Sequence, residues 1–246
     1  MDFDLSGQVV AITGASSGIG ETTALACAEA GGSVALAARR EDRIKDLAGR
    51  IGTDRAWAFA ADVGEEDQAN AFVNGAAEHF GRLDHLVNNA GVMLLGPITD
   101  ADTEEWRRMI HVNVFGVLYG SHAAIPHLKA QGGGTIVNVS SVAGRVARLG
   151  SGVYNLTKFG IGAFSESLRQ ELSPEGIRVT LIEPGAVDTE LPGHNRPEIQ
   201  ETMARRFEGI TRLEADDIAR AIVYVLAQPA HVAINEVLVR PTGQQG

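Results

Sequence analysis

Short apolar runs alternate with longer amphipathic stretches along most of the 246-residue chain. The short runs have the length and composition of buried strands, and the longer stretches repeat apolar residues at helical spacing. Strands and helices that alternate in this way are typical of βαβ units and a parallel sheet. The predicted strands are Val9–Thr13, Ser33–Ala38, Ala56–Ala60, His85–Asn88, Thr135–Val139, Arg178–Ile182 and Ile234–Val239.

The helical stretches lie between these strands. One of them, Thr103–Gln131, is long enough to bend near Pro126. We predict an α/β protein: a single-domain doubly wound Rossmann fold over residues 1–246, with a seven-stranded parallel sheet flanked by helices. The predicted helices are Glu21–Ala30, Glu41–Arg50, Glu65–Phe80, Thr103–Gln131 and Gly152–Leu172.

The least regular part of the chain covers residues 184–211 and contains Pro192, Gly193 and Pro197. Long irregular insertions in compact domains often form lids or binding loops. We therefore expect a substrate-binding loop or lid there. An ordinary surface loop with a short helix is an equally good interpretation of its composition.

The charge and composition exclude several classes of function. A net charge of −10 argues against binding to nucleic acid or to an anionic membrane surface. No apolar run approaches the roughly 18 residues that a membrane span needs. The start of the chain, Met1-Asp-Phe-Asp, is acidic and lacks the features of a signal peptide, so we expect a cytoplasmic protein. Cys27 is the single cysteine and the seven histidines are scattered, so we expect no metal site.

A glycine-rich loop follows the first predicted strand and opens directly into a helix. Its glycines follow a G-x3-G-x-G pattern. Glycines permit a tight turn and a close backbone approach, and the N–H groups at a helix start can bind a pyrophosphate. The loop therefore predicts a dinucleotide site. Its candidate contacts are Gly14, Ser16, Ser17, Gly18, Ile19 and Gly20.

Two arginines, Arg39 and Arg40, follow the second predicted strand. The ribose 2′-hydroxyl of NAD calls for an acidic residue at this place, whereas the 2′-phosphate of NADP calls for arginine. The planar guanidinium matches phosphate geometry, and Ser16 and Ser17 could add hydroxyl donors. We therefore expect NADP (NADPH) as the cofactor. The alternative is that both arginines only solvate the start of the next helix.

The next two strand ends also carry residues suited to a nucleotide. Asp62 and Val63 follow the third predicted strand, where they could meet the adenine edge. Asn89, Ala90 and Gly91 follow the fourth strand, near the point where doubly wound sheets bind ligands. Any one of these could be turn chemistry alone, but four consecutive strand ends with plausible contacts favour a nucleotide site.

Tyr154 and Lys158 are four residues apart in a predicted helix, so they share one face. A neighbouring positive charge favours the phenolate and lowers the pKa of a tyrosine. We therefore expect Lys158 to lower the pKa of Tyr154 and make it fit for proton transfer. Ser140 and Ser141 lie upstream, and a serine hydroxyl beside the phenol could hold a carbonyl oxygen.

Taken together, these motifs resemble the short-chain dehydrogenase/reductase family over essentially the whole chain. The resemblance implies that Tyr154 is the general acid in reduction and the base in oxidation. Lys158 would lower the pKa of Tyr154 and hold the nicotinamide ribose, and Ser141 would bind the substrate oxygen. The matching residues are Thr13, Gly14, Gly18, Gly20, Asp62, Val63, Asn88, Asn89, Ala90, Gly91, Asn113, Ser141, Tyr154, Lys158, Pro184 and Gly185.

The resemblance assigns further roles. Asn113 would anchor a water that links Lys158 to solvent, although it could also be a plain polar residue inside a helix. Val187 and Thr189, after Pro184 and Gly185, would meet the nicotinamide carboxamide. NADPH would supply hydride to a small-molecule carbonyl substrate, an aldehyde or ketone, or accept it from the alcohol.

Some stretches are also similar to clavulanic acid dehydrogenase and its relatives, which reduce an aldehyde with NADPH. They include residues 93–97, 144–146 and 240–242. Family members tend to form tetramers through helices that correspond to Thr103–Gln131 and Gly152–Leu172. We therefore expect a homo-oligomer, a tetramer or dimer, although core packing explains the apolar content of these helices equally well.

Three alternatives compete with an NADP-dependent oxidoreductase. One is an NAD-dependent alcohol dehydrogenase of the same fold. Another is a redox-inactive nucleotide-sensing protein, which would be expected to lack Tyr154 or Lys158. The third is a halohydrin-lyase-like enzyme, in which a halide site replaces the glycine loop and arginine replaces the lysine; the glycines and Lys158 argue against it.

Overall fold

The computed structural model describes residues 3–99 and 101–245, and within them a parallel sheet of seven strands has the order β3-β2-β1-β4-β5-β6-β7. The first two residues, Met1 and Asp2, together with Asp100 and Gly246, lie outside the described residues. The predicted α/β fold is confirmed. The strands are β1 (Val9–Thr13), β2 (Ser33–Ala38), β3 (Ala56–Ala60), β4 (His85–Asn88), β5 (Gly134–Val139), β6 (Ile177–Pro184) and β7 (Glu236–Val239).

Helices connect the strands and cover both faces of the sheet. They are α1 (Gly18–Glu29), α2 (Glu41–Ile51), α3 (Glu66–Phe80), α4 (Thr103–Ile110), α5 (Gly116–Ala130), α6 (Gly152–Leu172), α7 (Pro197–Arg206) and α8 (Ala215–Leu226). Among the described residues, no helix has both the length and the apolar character that crossing a bilayer requires.

The predicted long helix Thr103–Gln131 is interrupted in the structure, but not near Pro126 as the sequence suggested. A π-helical turn at His111–Phe115 separates α4 from α5, whereas α5 continues through Pro126 to Ala130. Isolated π turns of this kind occur frequently at functional sites. The deviation therefore lies at Asn113, a candidate catalytic residue.

Helix α8 is absent from the sequence-based interpretation, although its start carries a recognisable signal. Glu214 and Asp217 form a capping box, in which the Glu214 N–H donates to the Asp217 carboxylate at 2.9 Å. The helix then buries Ile218, Ile222 and Val225 against the sheet. Its apolar face is therefore part of the core.

Alternate residues of a strand point to opposite faces of the sheet, so the sheet has a hydrophobic core on each face. Val10 and Ile12 of β1 pack with residues of α1, α2 and α8, whereas Val9 and Ala11 pack with residues of α3, α5 and α6. The strand order reverses at β1, which pairs with β2 on one side and β4 on the other. Connections diverge from such a point and leave a crevice at the carboxyl ends of the strands.

Candidate active site

One cavity of about 800 Å³ opens at these carboxyl ends and contains most of the predicted site residues. Asn113 and Gly20 are not among the residues that line it. The predicted residues that line the cavity are Gly14, Ser16, Ser17, Gly18, Ile19, Arg39, Arg40, Asp62, Val63, Asn89, Ala90, Gly91, Ser141, Tyr154, Lys158, Pro184, Gly185, Val187 and Thr189.

Helix α6 places Tyr154 and Lys158 one turn apart, with both side chains buried. The Lys158 Nζ atom lies 5.8 Å from the centroid of the Tyr154 ring and donates a hydrogen bond to the Val139 carbonyl at 2.9 Å. That bond ties the helix to the end of β5. The phenol and the ammonium are therefore held together by the packing of α6 on the sheet.

The pKa values of these two groups are dominated by burial. Burial raises the pKa of Tyr154 to about 12, and a hydrogen bond with Ser141 offsets part of that rise. Burial also lowers the pKa of Lys158 to about 8. Both shifts have the sign expected when a charged form loses its water. The Tyr154 pKa therefore moves in the direction opposite to the sequence-based prediction, because desolvation outweighs the hydrogen bond with Ser141.

The structure separates the two candidate serines. The Ser140 hydroxyl is buried and donates to the Lys158 carbonyl at 3.1 Å, so it holds α6 against β5. Ser141 caps a 3₁₀ turn, where its hydroxyl oxygen accepts from the Ala143 N–H at 3.1 Å. Ser141 is also the serine that interacts with the Tyr154 phenol.

Asn113 lies in the π-helical turn, and its buried amide bonds to the chain that leaves β4. Its Nδ2 donates to the Val92 carbonyl at 2.9 Å, and its Oδ1 accepts from the Val92 N–H at 2.8 Å. A Cβ placed on Gly91 would lie 3.4 Å from the Asn113 Oδ1 and 3.9 Å from the Lys158 Nζ. Both polar groups therefore lie close to the backbone of Gly91, and a side chain there would approach both of them.

The glycine loop packs tightly against the residues after β4. Gly14 has φ of +68°, and a Cβ there would lie 2.8 Å from the Ala90 Cα. A Cβ on Gly20 would collide with the carbonyl oxygen of Gly14. Asn89 fastens the loop from the other side, since its Nδ2 donates to the Thr13 carbonyl at 3.0 Å. Close contacts within the protein therefore require glycine at both positions, whether or not a ligand binds there.

Thr13 is a further organising residue. Its Oγ1 accepts from the Asn89 and Ala90 N–H groups, both at 3.0 Å. The hydroxyl thus holds the ends of β1 and β4 together at the point where the strand order reverses.

A cationic cluster lies where the sequence predicts a 2′-phosphate. The Arg40 guanidinium donates to the Ser16 Oγ at 2.9 Å and to the Ser17 Oγ at 2.7 Å. The Glu190 carboxylate, on the segment after β6, bridges Arg40 and Arg43 at 2.7 Å each. These arginines hold the pKa of Glu190 at about 2, through hydrogen bonds first of all. The sequence-based interpretation did not identify Arg43 or Glu190 as site residues.

Arg39 has a different environment from Arg40. Its Nη1 lies 3.9 Å from the Asp62 carboxylate, and its side chain is 55% exposed. Asp62 in turn accepts the Gly64 N–H at 3.1 Å, so it caps the turn after β3. The two arginines therefore lie on separate walls of the cavity, one beside the glycine loop and the other beside the β3 end.

The irregular segment 184–211 covers the other end of the cavity. It contains a 3₁₀ turn, Leu191–His194, and helix α7. Leu191 and Met203 pack against the apolar cluster around Tyr154, and the buried Asn195 side chain accepts the Leu95 N–H at 2.6 Å. The segment is thus fixed at a few points over Tyr154.

A bidentate ion pair connects the serine turn to the end of β6. Arg145 donates to the Glu183 carboxylate at 2.6–2.9 Å, and it also pairs with Glu236. Glu183 is only 1% exposed and directly precedes Pro184, a cavity residue. The pair therefore holds together the two chain segments that carry Ser141 and Pro184.

The described part of the chain contains no group of three or more His, Cys, Asp or Glu side chains arranged to hold a metal ion. Besides the carboxylates of Asp62, Glu190 and Glu201, the cavity brings together phenol, hydroxyl, ammonium and guanidinium groups. These are suited to proton transfer and to binding of anions.

Known proteins are similar to this chain in sequence and in fold. A family model described as short chain dehydrogenase matches residues 8–200. The chain is 41% identical over 240 residues to an uncharacterized oxidoreductase of Staphylococcus saprophyticus, with 96% of this chain and 97% of that protein covered.

Among solved structures, serine dehydrogenase complexed with NADP+ has a TM-score of 0.91 at 31% identity, with 97% of each chain covered. The 3-ketoacyl-(acyl-carrier-protein) reductase from Brucella melitensis complexed with NADH has a TM-score of 0.85 at 34% identity, covering 96% of this chain and 98% of that one. The resemblance to clavulanic acid dehydrogenase stays a prediction. The family prediction is confirmed: the chain belongs to the short-chain dehydrogenase family of oxidoreductases.

Proposed function

We propose that this oxidoreductase interconverts a small carbonyl compound, an aldehyde or ketone, and its alcohol with NADP(H) as the hydride carrier. The observation that carries the proposal is the juxtaposition of Tyr154, Ser141 and Lys158 in the cavity that the glycine loop also lines. Such a set can hold a carbonyl oxygen and exchange a proton with it.

The residues fit a dinucleotide on physical grounds. At Gly14 and Gly20 the loop has no space for a Cβ atom. The N–H groups at the start of α1 can bind a pyrophosphate. When bound, the nicotinamide supplies or accepts the hydride. Val187 and Thr189 would contact its carboxamide, and Lys158 would hold its ribose hydroxyls.

In the reduction, Tyr154 donates its phenolic proton to the substrate oxygen while Ser141 donates a hydrogen bond to it. With a pKa of about 12, Tyr154 is protonated at neutral pH and is ready to act as an acid. In the oxidation, Tyr154 must first lose that proton. Lys158 and an Asn113-bound water would carry the proton to and from solvent.

The preference for NADP rests on the cationic cluster. Arg40 and Arg43 already bind an anion, the Glu190 carboxylate, beside two serine hydroxyls. Guanidinium groups bind phosphate in the same geometry, so a 2′-phosphate would compete with Glu190 for them. The NADP+ bound by the similar serine dehydrogenase supports this choice. The NADH bound by the Brucella reductase keeps an NAD-dependent enzyme as the second candidate.

We also propose a homo-oligomer, a tetramer or dimer. Phe115, Leu156 and Phe159 are large apolar side chains that are 41–60% exposed, next to or on helices α5 and α6. Contact with another copy would remove them from water. Size-exclusion chromatography with light scattering measures the assembly state directly. The cytoplasmic location stays a prediction.

The experiment is a panel of aldehydes, ketones and alcohols, each assayed by nicotinamide absorbance with NADPH and with NADH. We expect turnover with at least one carbonyl and a higher kcat/KM with NADPH. Binding of NADPH without turnover across the panel would favour the redox-inactive nucleotide sensor. Equal or better turnover with NADH would favour the NAD-dependent alternative.

A further inference from the structure

Three arginines line the end of the cavity that lies under helix α7: Arg148, Arg206 and Arg212. Met203 packs against the apolar cluster that includes Tyr154, and Arg206 lies three residues further along the same helix. Residues three apart share one face of a helix. Arg206 is therefore on the face of α7 that covers the catalytic groups.

Arg148 enters this end of the cavity from the loop before α6. Its backbone N–H donates to the Oδ1 of Asn155, the neighbour of Tyr154, at 3.1 Å. Arg206 is exposed, and its pKa is lowered first by partial desolvation and second by the positive charge of Arg148. The two guanidinium groups are thus close enough to repel each other.

Arg206 and Arg212 also share an aromatic neighbour. Their guanidinium carbons lie 5.5 and 5.8 Å from the centroid of the Phe207 ring, which holds both charges at the cavity wall. Arg212 lies 3.8 Å from the Asp188 carboxylate. Within residues 3–99 and 101–245, no carboxylate lies within ion-pair distance of Arg206.

The local charge is opposite to that of the protein as a whole. The chain carries a net charge of −10, yet the cavity end that covers Tyr154 gathers three arginines, and Glu201, a carboxylate of the same cavity lining, pairs with Arg205. Like charges in a partly enclosed cleft repel each other, and an anion that enters between them relieves the repulsion. The arrangement therefore favours a ligand with a negative charge.

We infer that the carbonyl substrate carries an oxyanion group, a carboxylate or a phosphate, which Arg206 binds together with Arg212. This inference rests on the proposed function, because the carbonyl of the same molecule must reach Ser141 and Tyr154. The substrate class is then that of small oxo acids or oxo phosphates and the corresponding hydroxy compounds. Arg206 and Arg212 act as specificity residues and take no part in the proton transfer.

The test compares charged and neutral forms of the same carbonyl compound. The probes are 3-oxobutanoate against its methyl ester, and dihydroxyacetone phosphate against dihydroxyacetone. We expect kcat/KM with NADPH to favour one of the charged probes over its neutral form by about tenfold or more. The pair with the larger ratio identifies whether the oxyanion is a carboxylate or a phosphate.

The variant Arg206→Gln should lower kcat/KM for the preferred charged probe by about tenfold and leave the neutral form within about twofold. Arg205→Gln is the matched control, because Arg205 is adjacent, 77% exposed and paired with Glu201. It should leave both probes unchanged. A wild-type enzyme that prefers the neutral probes, or equal losses in Arg206→Gln and Arg205→Gln, would overturn the inference.

A binding measurement separates this inference from the proposed function. Calorimetric titration of the NADP+-saturated protein with 3-hydroxybutanoate and with glycerol 3-phosphate needs no turnover. Weaker binding of either anion to Arg206→Gln than to Arg205→Gln supports the anion site even if no carbonyl is reduced. Equal binding to the two variants contradicts it, whether or not the enzyme turns over neutral carbonyls.

Discussion

The half of the cavity that rests on the sheet and the half that lies under residues 184–211 are held in different ways. Helix α6 buries Tyr154 and Lys158, and hydrogen bonds join them to the β5 end. In α7, by contrast, none of the described residues is buried, and Arg206 is exposed and contacts the ring of its chain neighbour Phe207. The groups that we propose for the reaction are thus part of a packed core, whereas the proposed recognition of the substrate depends on a segment with little burial.

A buried polar network gives the sheet half its rigidity. The Asn138 side chain accepts from Asn88 at 2.9 Å and donates to Ser165 of α6 at 2.9 Å. Asn88 also donates to Ser121 of α5 at 3.1 Å. Networks of this kind specify one packing arrangement, because every member is costly to leave unpaired. Segments with few buried contacts are free to vary in sequence and in motion.

The largest expected effect concerns Tyr154, in the half of the cavity that rests on the sheet. Tyr154→Phe removes the proton donor but keeps the ring, so turnover should fall by about 10²–10⁴-fold while NADPH binding is retained. Steady-state kinetics and a fluorescence titration of NADPH measure the two effects. Tyr224→Phe, at a side chain that is 43% exposed and packs on Phe3, is the control and should change neither. Full activity in Tyr154→Phe would rule out the proposed mechanism.

The pH dependence is the second test of the same half. In the proposed mechanism, oxidation needs the Tyr154 phenolate, and a pKa raised to about 12 leaves only a small fraction of Tyr154 in that form near neutrality. The oxidation rate should therefore rise about tenfold per pH unit from roughly pH 7 to pH 9. Reduction should not rise over that range, because Tyr154 is already protonated. A flat oxidation profile measured with the same alcohol would show that another group accepts the proton.

The ion pair between Arg145 and Glu183 tests whether the two halves of the cavity differ in rigidity. Arg145→Met leaves the buried Glu183 carboxylate without its main partner, so the free energy of unfolding should fall by about 3–5 kcal/mol. Urea denaturation measures the loss. Glu236→Gln alters only the exposed partner of Arg145 and should cost less than about 1 kcal/mol. Similar costs for the two variants would mean that the pair of Arg145 with the buried Glu183 contributes little.

The smallest effect concerns the contact that joins the two halves. Arg40→Ala removes the guanidinium that binds Ser16, Ser17 and Glu190, so the affinity for NADPH should fall about tenfold more than that for NADH. Arg39→Ala should shift the preference less, since Arg39 lies beside Asp62. Glu190→Gln should instead strengthen NADPH binding by a few-fold, because it removes a competing anion. Titration with both cofactors compares the three variants, and equal losses of NADPH and NADH in Arg40→Ala would contradict the cofactor assignment.

Much of the sheet half could be predicted because local sequence determines it. The bounds of β1 to β4 match the predicted strands, since apolar runs between turn residues define them. The glycine loop and the four-residue spacing of Tyr154 and Lys158 are equally local signals. The capping box of Glu214 and Asp217 is a local signal too, and it could have revealed α8.

Tertiary structure decided what depends on partners far apart in the chain. Glu190 meets Arg40 across 150 residues, and Arg145 meets Glu183 across 38. The direction of the Tyr154 pKa shift followed from its burial, which the neighbouring Lys158 in the sequence could not reveal. The sequence by itself determined the fold class and the chemical groups, because their patterns repeat over a few residues. Only the folded chain decided their solvation and their partners, because desolvation and ion pairing depend on which distant segments meet.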